Sequence, residues 1–215
     1  MSETSTFDFN AFIKESKETL VNPKAYFSTM KTTGGWAEPL IKVVIYGAVA
    51  GIIAFLWSVL GLGGLKTGMF GGAIGAMALV WTIVGAVIGL FVGAVILLII
   101  SSICKGSTDF EANARVVAAS MVIMPINALL GFTAGISSWL GMIISLCVSL
   151  YALYITYYGL VESLKAKPET AKIVMYVLAA LLVLFMLLGM STRNKMNKYM
   201  DNEDLKEMLK DIEQQ

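Results

Sequence analysis

The sequence predicts an all-α protein: a polytopic membrane helix bundle of five transmembrane helices, with amphipathic helices before it and a short helix after it. Three observations lead there. Of the 215 residues, 57% are hydrophobic and 14% charged, where an ordinary soluble domain has about 25% charged. Residues 43–65, 67–104, 116–161 and 173–192 carry no charge, and about 20 apolar residues cross a bilayer as a helix. The third run is too long for one span and is broken around Gly131, Gly135, Ser137 and Ser138. This divides the chain into a soluble N-terminal segment (1–40), a five-span membrane domain (41–190) and a charged tail (191–215).

The N-terminal segment carries its own pattern. Phe9, Phe12, Ile13 and Leu20 recur at helical spacing, with Lys14, Glu15, Lys17 and Glu18 between them. Asn22-Pro23 reads as an N-cap followed by proline at the first helical position, opening a second short helix with Tyr26, Phe27 and Met30 on its apolar face. Gly34-Gly35 ends it, and Trp36 then stands where an indole sits at headgroup level. These aromatics either form a membrane-surface or partner-binding collar, or pack on the ends of the spans. No apolar leader core precedes the first span, which is expected to direct insertion itself.

The spans follow from the charge-free runs. The first is 43–65. In the second run Gly68, Gly71, Gly72 and Gly75 weaken a helix, so one span is expected at 79–103, preceded by an interfacial or re-entrant segment. The third and fourth spans are 116–132 and 138–161, and the fifth lies in 173–192. Six spans, with the C-terminus on the other side, is the alternative. Five spans put Lys24, Lys31, Lys42, Lys105, Arg115, Lys165, Lys167 and Lys172 on one side. Lys66, Arg193, Lys195 and Lys198 fall on the other, and the N-terminus is therefore expected in the cytoplasm. In the tail, Leu205, Met208, Leu209 and Ile212 form a helical stripe.

Close packing is written into small residues. Gly85, Gly89 and Gly93 are four apart, which lets another backbone approach. Gly47 and Gly51 echo this in the first span, and Gly141 in the fourth. The seam is expected to use Gly89, with Leu90 turned away from it. Cys104 and Cys147 read as small buried hydrophobes, not as a disulfide or a metal pair.

Composition also excludes functions. A net charge of +1 makes no electrostatic case for nucleic acid. The chain has no histidine, and neither paired carboxylates nor a phosphate-cradling Gly-Lys loop occurs. No enzyme activity, metal or cofactor is expected. The expected spans hold no charged residue, which argues against an ion-coupled transporter. Asn127 is the polar exception. Pro125, just before it, frees the carbonyl of Met121, so the pair is either a binding point in a broken helix or a satisfied kink.

The order of features resembles the Yip family, the Ypt/Rab-interacting-protein domain of five-span membrane proteins. The resemblance is carried by Asn22-Pro23-Lys24-Ala25-Tyr26-Phe27 with Pro39, by Lys105 to Glu111 with Arg115-Val116-Val117, by Pro125, and by Tyr154 through Gly159-Leu160. It implies five helices, a cytoplasmic N-terminus and association with other membrane proteins; a homo-oligomer seam is the alternative use of the glycine faces, beside packing within one chain. Eukaryotic members associate with Rab GTPases. Their acidic Asp-Leu-Tyr-Gly-Pro-type motif is missing here, with Gly34-Gly35-Trp36-Ala37-Glu38-Pro39 near its place, and the chain looks more like prokaryotic members of bacterial or archaeal cell membranes. Two functions are carried forward. One is a non-enzymatic scaffold that organises or recruits membrane partners through 7–38 and 105–115, with Trp36, Asp109, Phe110 and Arg115 as candidate binding residues. The other is a passive channel or transporter for a lipid or small solute at Pro125 and Asn127. The lipid bilayer is a partner in both.

Overall fold

A computed structural model of the chain describes residues 8–62 and 71–200, with side-chain environments for 8–62, 77 and 79–189. Among the described residues there is no strand. Five helical stretches are long and apolar enough to cross a membrane: Ala37–Val59, Leu79–Ile103, Phe110–Ile136, Ser138–Ser163 and Pro168–Gly189. The tail stripe at Leu205 to Ile212 lies outside the described residues.

Two short helices precede the spans. Helix α1, Phe9–Val21, starts where the Asp8 carboxylate accepts from the amides of Asn10 and Ala11. Helix α2, Pro23–Thr29, starts where Asn22 accepts from the amide of Ala25, with proline in its first turn. Proline costs nothing there, because that position has no intrahelical bond to lose.

The first span is α3, Ala37–Val59. Gly61 ends it with φ +69°, a conformation glycine adopts without steric cost. Its amide bonds the Ser58 carbonyl, and the Leu62 amide reaches back to Trp57 at 2.9 Å. This pair of bonds satisfies the last carbonyls of the helix.

Helix α4, Gly71–Ile103, is one helix of 33 residues. The 71–78 stretch is helical in continuity with the second span and does not re-enter, whereas Gly68 lies outside the described residues. Each glycine costs about 1 kcal/mol of helix propensity, and the helix continues through them nonetheless.

The third span is broken into α5 (Phe110–Ser120), α6 (Ile123–Leu130) and α7 (Thr133–Ile136). Pro125 has no N–H for the Met121 carbonyl, and the Met124 amide takes that carbonyl instead at 2.9 Å. Helix α8, Ser138–Tyr158, continues into a π turn at Gly159–Ser163. Helix α9, Pro168–Met200, belongs to the first compact unit as far as Val177. From Leu178 it forms a second unit, in which large apolar side chains such as Phe185 and Leu187 are exposed.

Charge-free runs misplace where these helices begin. The third span starts at Phe110 and not at 116, so Phe110 and Arg115 lie in its first turns and not in a loop. The first starts at Ala37, upstream of Lys42, and the fifth at Pro168, upstream of Lys172. At the first and third spans, charges inside the helix are neutralised by partners and so do not end it.

The core lies between α3, α4 and α5, where Val43, Ala86, Leu90, Ala94, Ala114 and Ala118 are buried together. Small side chains let the backbones close up. A Cβ on Gly47 would stand 2.9 Å from that of Ala86, and one on Gly51 would stand 3.2 Å from the Leu79 Cα. Gly93 faces Val117, Gly89 faces the flexible end of Met121, and Gly141 sits against Ala134. A Cβ on Gly85 would meet nothing within 4 Å among the described residues. Leu90 is 0% exposed, so it fills the seam; the helix turns 100° per residue, and the α3 and α5 contacts of α4 are wide enough to take both positions. Cys147 is exposed on α8, whereas Cys104 is buried.

Two substitutions separate these positions. Truncating a buried leucine costs about 2–5 kcal/mol in soluble cores, and the lower end applies where lipid replaces water as the alternative surrounding. Leu90→Ala should lower the thermal unfolding temperature in detergent clearly, and Gly85→Ala should leave it nearly unchanged.

Candidate functional site

The polar residues of the spans converge at the end where the chain enters α3 and α5. Lys42, one turn into α3, is 6% exposed, and Arg115, in α5, is 5% exposed. A buried charge costs several kcal/mol unless it is paired, and both are. Lys42 Nζ donates to Glu15 at 2.7 Å and to Glu38 at 2.7 Å. Arg115 donates from Nη1 to Glu38 at 2.9 Å and from Nε to Glu111 at 3.1 Å. Glu38 thus bridges the two cations with separate oxygens.

The network closes over the linker before α3. Arg115 Nη2 donates to the Gly35 carbonyl at 2.8 Å, and the Gly35 amide donates to Glu111 at 2.7 Å. Gly34 and Gly35 have φ +133° and +91°, which only glycine takes without strain. A Cβ on Gly34 would stand 3.0 Å from Arg115 Nη2. The Gly-Gly pair is therefore a fitted strap over the guanidinium.

Aromatic and hydroxyl contacts extend the site. Trp36 packs against other rings. It stacks on Phe91 at 5.9 Å and meets Phe110 at 5.5 Å between ring centres. Phe12 of α1 meets Tyr46 of α3 at 5.2 Å, and Ser16 shares a 2.7 Å hydrogen bond with the Tyr46 hydroxyl. The Tyr26 hydroxyl accepts from Lys42 at 3.5 Å; burial pushes its phenol above the usual tyrosine range, and the Lys42 charge pulls the other way. The Ser163 hydroxyl donates to the Phe27 carbonyl at 2.7 Å, tying α2 to the π turn.

The 105–109 connection is equally held. Asp109 caps α5 by accepting from the Ala112 amide at 2.7 Å. The Asn113 amide group donates to the carbonyls of Ser107 and Asp109. The Ser107 amide donates to Leu164, and the Lys167 amide to Cys104, so this connection is fastened to the one before α9. Burial pushes the Cys104 thiol up, which makes it less reactive.

Of the candidate residues, Trp36, Asp109, Phe110 and Arg115 come together at this end. Pro125 and Asn127 do not join them. They lie on α6, beside the far end of α3, where the Trp57 indole donates to the Ala128 carbonyl at 3.0 Å. Asn127 is exposed. Sequence reasoning missed Glu15, Glu38, Lys42 and Glu111 as site residues. Glu38–Lys42 and Glu111–Arg115 are four apart on their helices, a spacing that signals side-chain pairs. Nothing local signals the links from Glu15 to Lys42 and from Glu38 to Arg115.

A shallow depression lined by Met30, Lys31, Glu38, Pro39, Lys42, Arg115 and Ala118 opens over the network. Its one carboxylate, Glu38, is engaged by both cations, so the arrangement is suited to joining segments and offers no free base. Removing Glu38 leaves two buried cations sharing fewer carboxylates. Glu38→Ala should therefore lower stability by about 3 kcal/mol, whereas Lys31→Ala at the exposed rim should stay within about 0.5 kcal/mol. Thermal unfolding in detergent measures both.

Comparison with known proteins places this geometry in a family. A family model described as the Yip1 domain matches residues 17–190. No curated protein and no solved structure matches the chain. The matched region contains Glu38, Lys42, Glu111 and Arg115 and extends over all five apolar helices. The chain is a multi-pass membrane protein, and it belongs to the Yip1 domain family.

Proposed function

We propose that the protein is a non-enzymatic membrane scaffold that organises or recruits membrane partners at the cytoplasmic face, using the 7–38 segment and the 105–115 stretch as one surface. The observation that carries this reading is the bridge at Glu38. It ties α1, the Gly-Gly linker, α3 and α5 into one platform at one end of the spans. A platform of this kind holds its exposed side chains in fixed positions, which lowers the ordering cost of binding a partner. The carboxylates most nearly placed for chemistry are occupied by Lys42 and Arg115, which supports recognition over catalysis.

Deleting residues 1–33 should abolish co-purification of the membrane partners that the intact chain retains from its native membrane. Asn127→Ala should leave that set unchanged. The purified chain moving a lipid or small solute across liposomes without a partner, and slowed by Asn127→Ala, would overturn the scaffold and establish the transporter.

A further inference from the structure

Helix α1 has two apolar surfaces. One is buried: Phe12 packs with Tyr46 and Val122, with Leu20 against them. The other is not, for Phe9 is 56% and Ile13 51% exposed. The direction of that second surface follows from Glu15. With 100° per residue, Phe9, Leu20 and Ile13 lie about 120°, 140° and 160° round the helix from Glu15, all on one flank. Glu15 points to Lys42, at the water end of α3. The Phe9–Ile13 flank therefore points the opposite way, down the length of the spans.

The level of the membrane edge follows from charge and length. Glu15, Glu38, Lys42, Glu111 and Arg115 belong outside the hydrocarbon. From Val43 to Leu62 the first span carries no charge, a rise of about 30 Å, which matches the hydrocarbon thickness. The edge then lies between Lys42 and Tyr46, the two residues of α3 that α1 touches through Glu15 and Ser16. A second contact holds α1 at this level, for the Tyr151 hydroxyl of α8 donates to the Leu20 carbonyl of α1.

We infer that α1 is an interfacial lipid-binding helix: its Phe9–Ile13 flank lies in the headgroup boundary, level with Tyr46 and Tyr151, while Glu15 stays with Lys42 on the water side. The occupant of the exposed apolar flank is lipid because this flank continues the lipid-facing surface of the spans at their edge. Lys17, beside it, can extend its ammonium to the phosphates while its stem covers apolar surface. The inference goes beyond the scaffold reading. It gives the Phe9–Ile13 flank to lipid and leaves the Lys14 and Glu18 side for a partner.

The test uses the full chain with Cys147→Ala, purified and reconstituted in vesicles of phosphatidylcholine and phosphatidylglycerol with no partner present. Its result is therefore independent of partner recruitment. A fluorescent probe is attached in turn at Ile13→Cys, Phe9→Cys and Glu18→Cys, all exposed positions; buried Cys104 stays unlabelled. Probes at 13 and 9 should be quenched several-fold more by a lipid bearing a shallow nitroxide than by aqueous iodide, and the probe at 18 should show the reverse. If either the 13 or the 9 variant does not reconstitute, the other decides. Quenching at 13 and 9 by iodide as strong as at 18 would overturn the inference. Protection from both quenchers would also overturn it, by showing that protein, such as a second copy, covers the flank.

Discussion

A buried charge must find its counter-charge, and in this chain that constraint selects which segments meet. Lys42 and Arg115 sit on different spans and are both almost fully enclosed. Glu38 is placed to give one oxygen to each. Glu15 from α1 and Glu111 from α5 complete the set, and the Gly35 carbonyl and amide close it. Replacing a buried ion network by apolar residues can leave stability unchanged or better. What an apolar patch lacks is direction. The network favours one docking of α1 and one path for the Gly-Gly linker, because displacing α1 takes Glu15 from Lys42 and displacing the linker takes the Gly35 carbonyl from Arg115.

The spans below this knot are held differently. Lipid tails are as apolar as leucine, so burial alone gives little drive for helices to associate. Close approach supplies it instead. Gly47 and Gly51 bring α3 against α4, and Ala86, Ala94, Ala114 and Ala118 leave room for Val43 and Leu90 between three helices. The two devices meet at Trp36, which belongs to the strap over Arg115 and also packs on Phe91 and Phe110 at the head of the apolar core. The face that carries the network is thus continuous with the apolar core.

Much of this was legible in sequence. The five spans followed from charge-free runs, because lipid excludes unpaired charge. Asn22-Pro23 announced α2, because cap chemistry is local. The break near Pro125 followed from one missing N–H. Other features were not legible, each for a physical reason. Helix starts at Ala37, Phe110 and Pro168 were hidden because charge was read as the end of a span, whereas Lys42 and Arg115 are neutralised within it. Spacing placed Gly85, Gly89 and Gly93 on one face but could not say that only Gly89 and Gly93 of the three face a described neighbour within 4 Å. Trp36 was read as an interfacial indole, but sequence does not show Phe91 and Phe110 coming to meet it. The site itself was half visible, as i,i+4 pairs, with its long-range half set by tertiary packing.

The central claim is that the ion network fixes the N-terminal helices to the spans. Hydrogen–deuterium exchange of the full chain in lipid nanodiscs tests it most directly. The amides of α1 should be protected nearly as well as the first turns of α3, and Lys42→Met should release α1 while leaving the middle of α4 protected. Rapid exchange of α1 in the unaltered chain, or unchanged protection in the variant, would contradict the account.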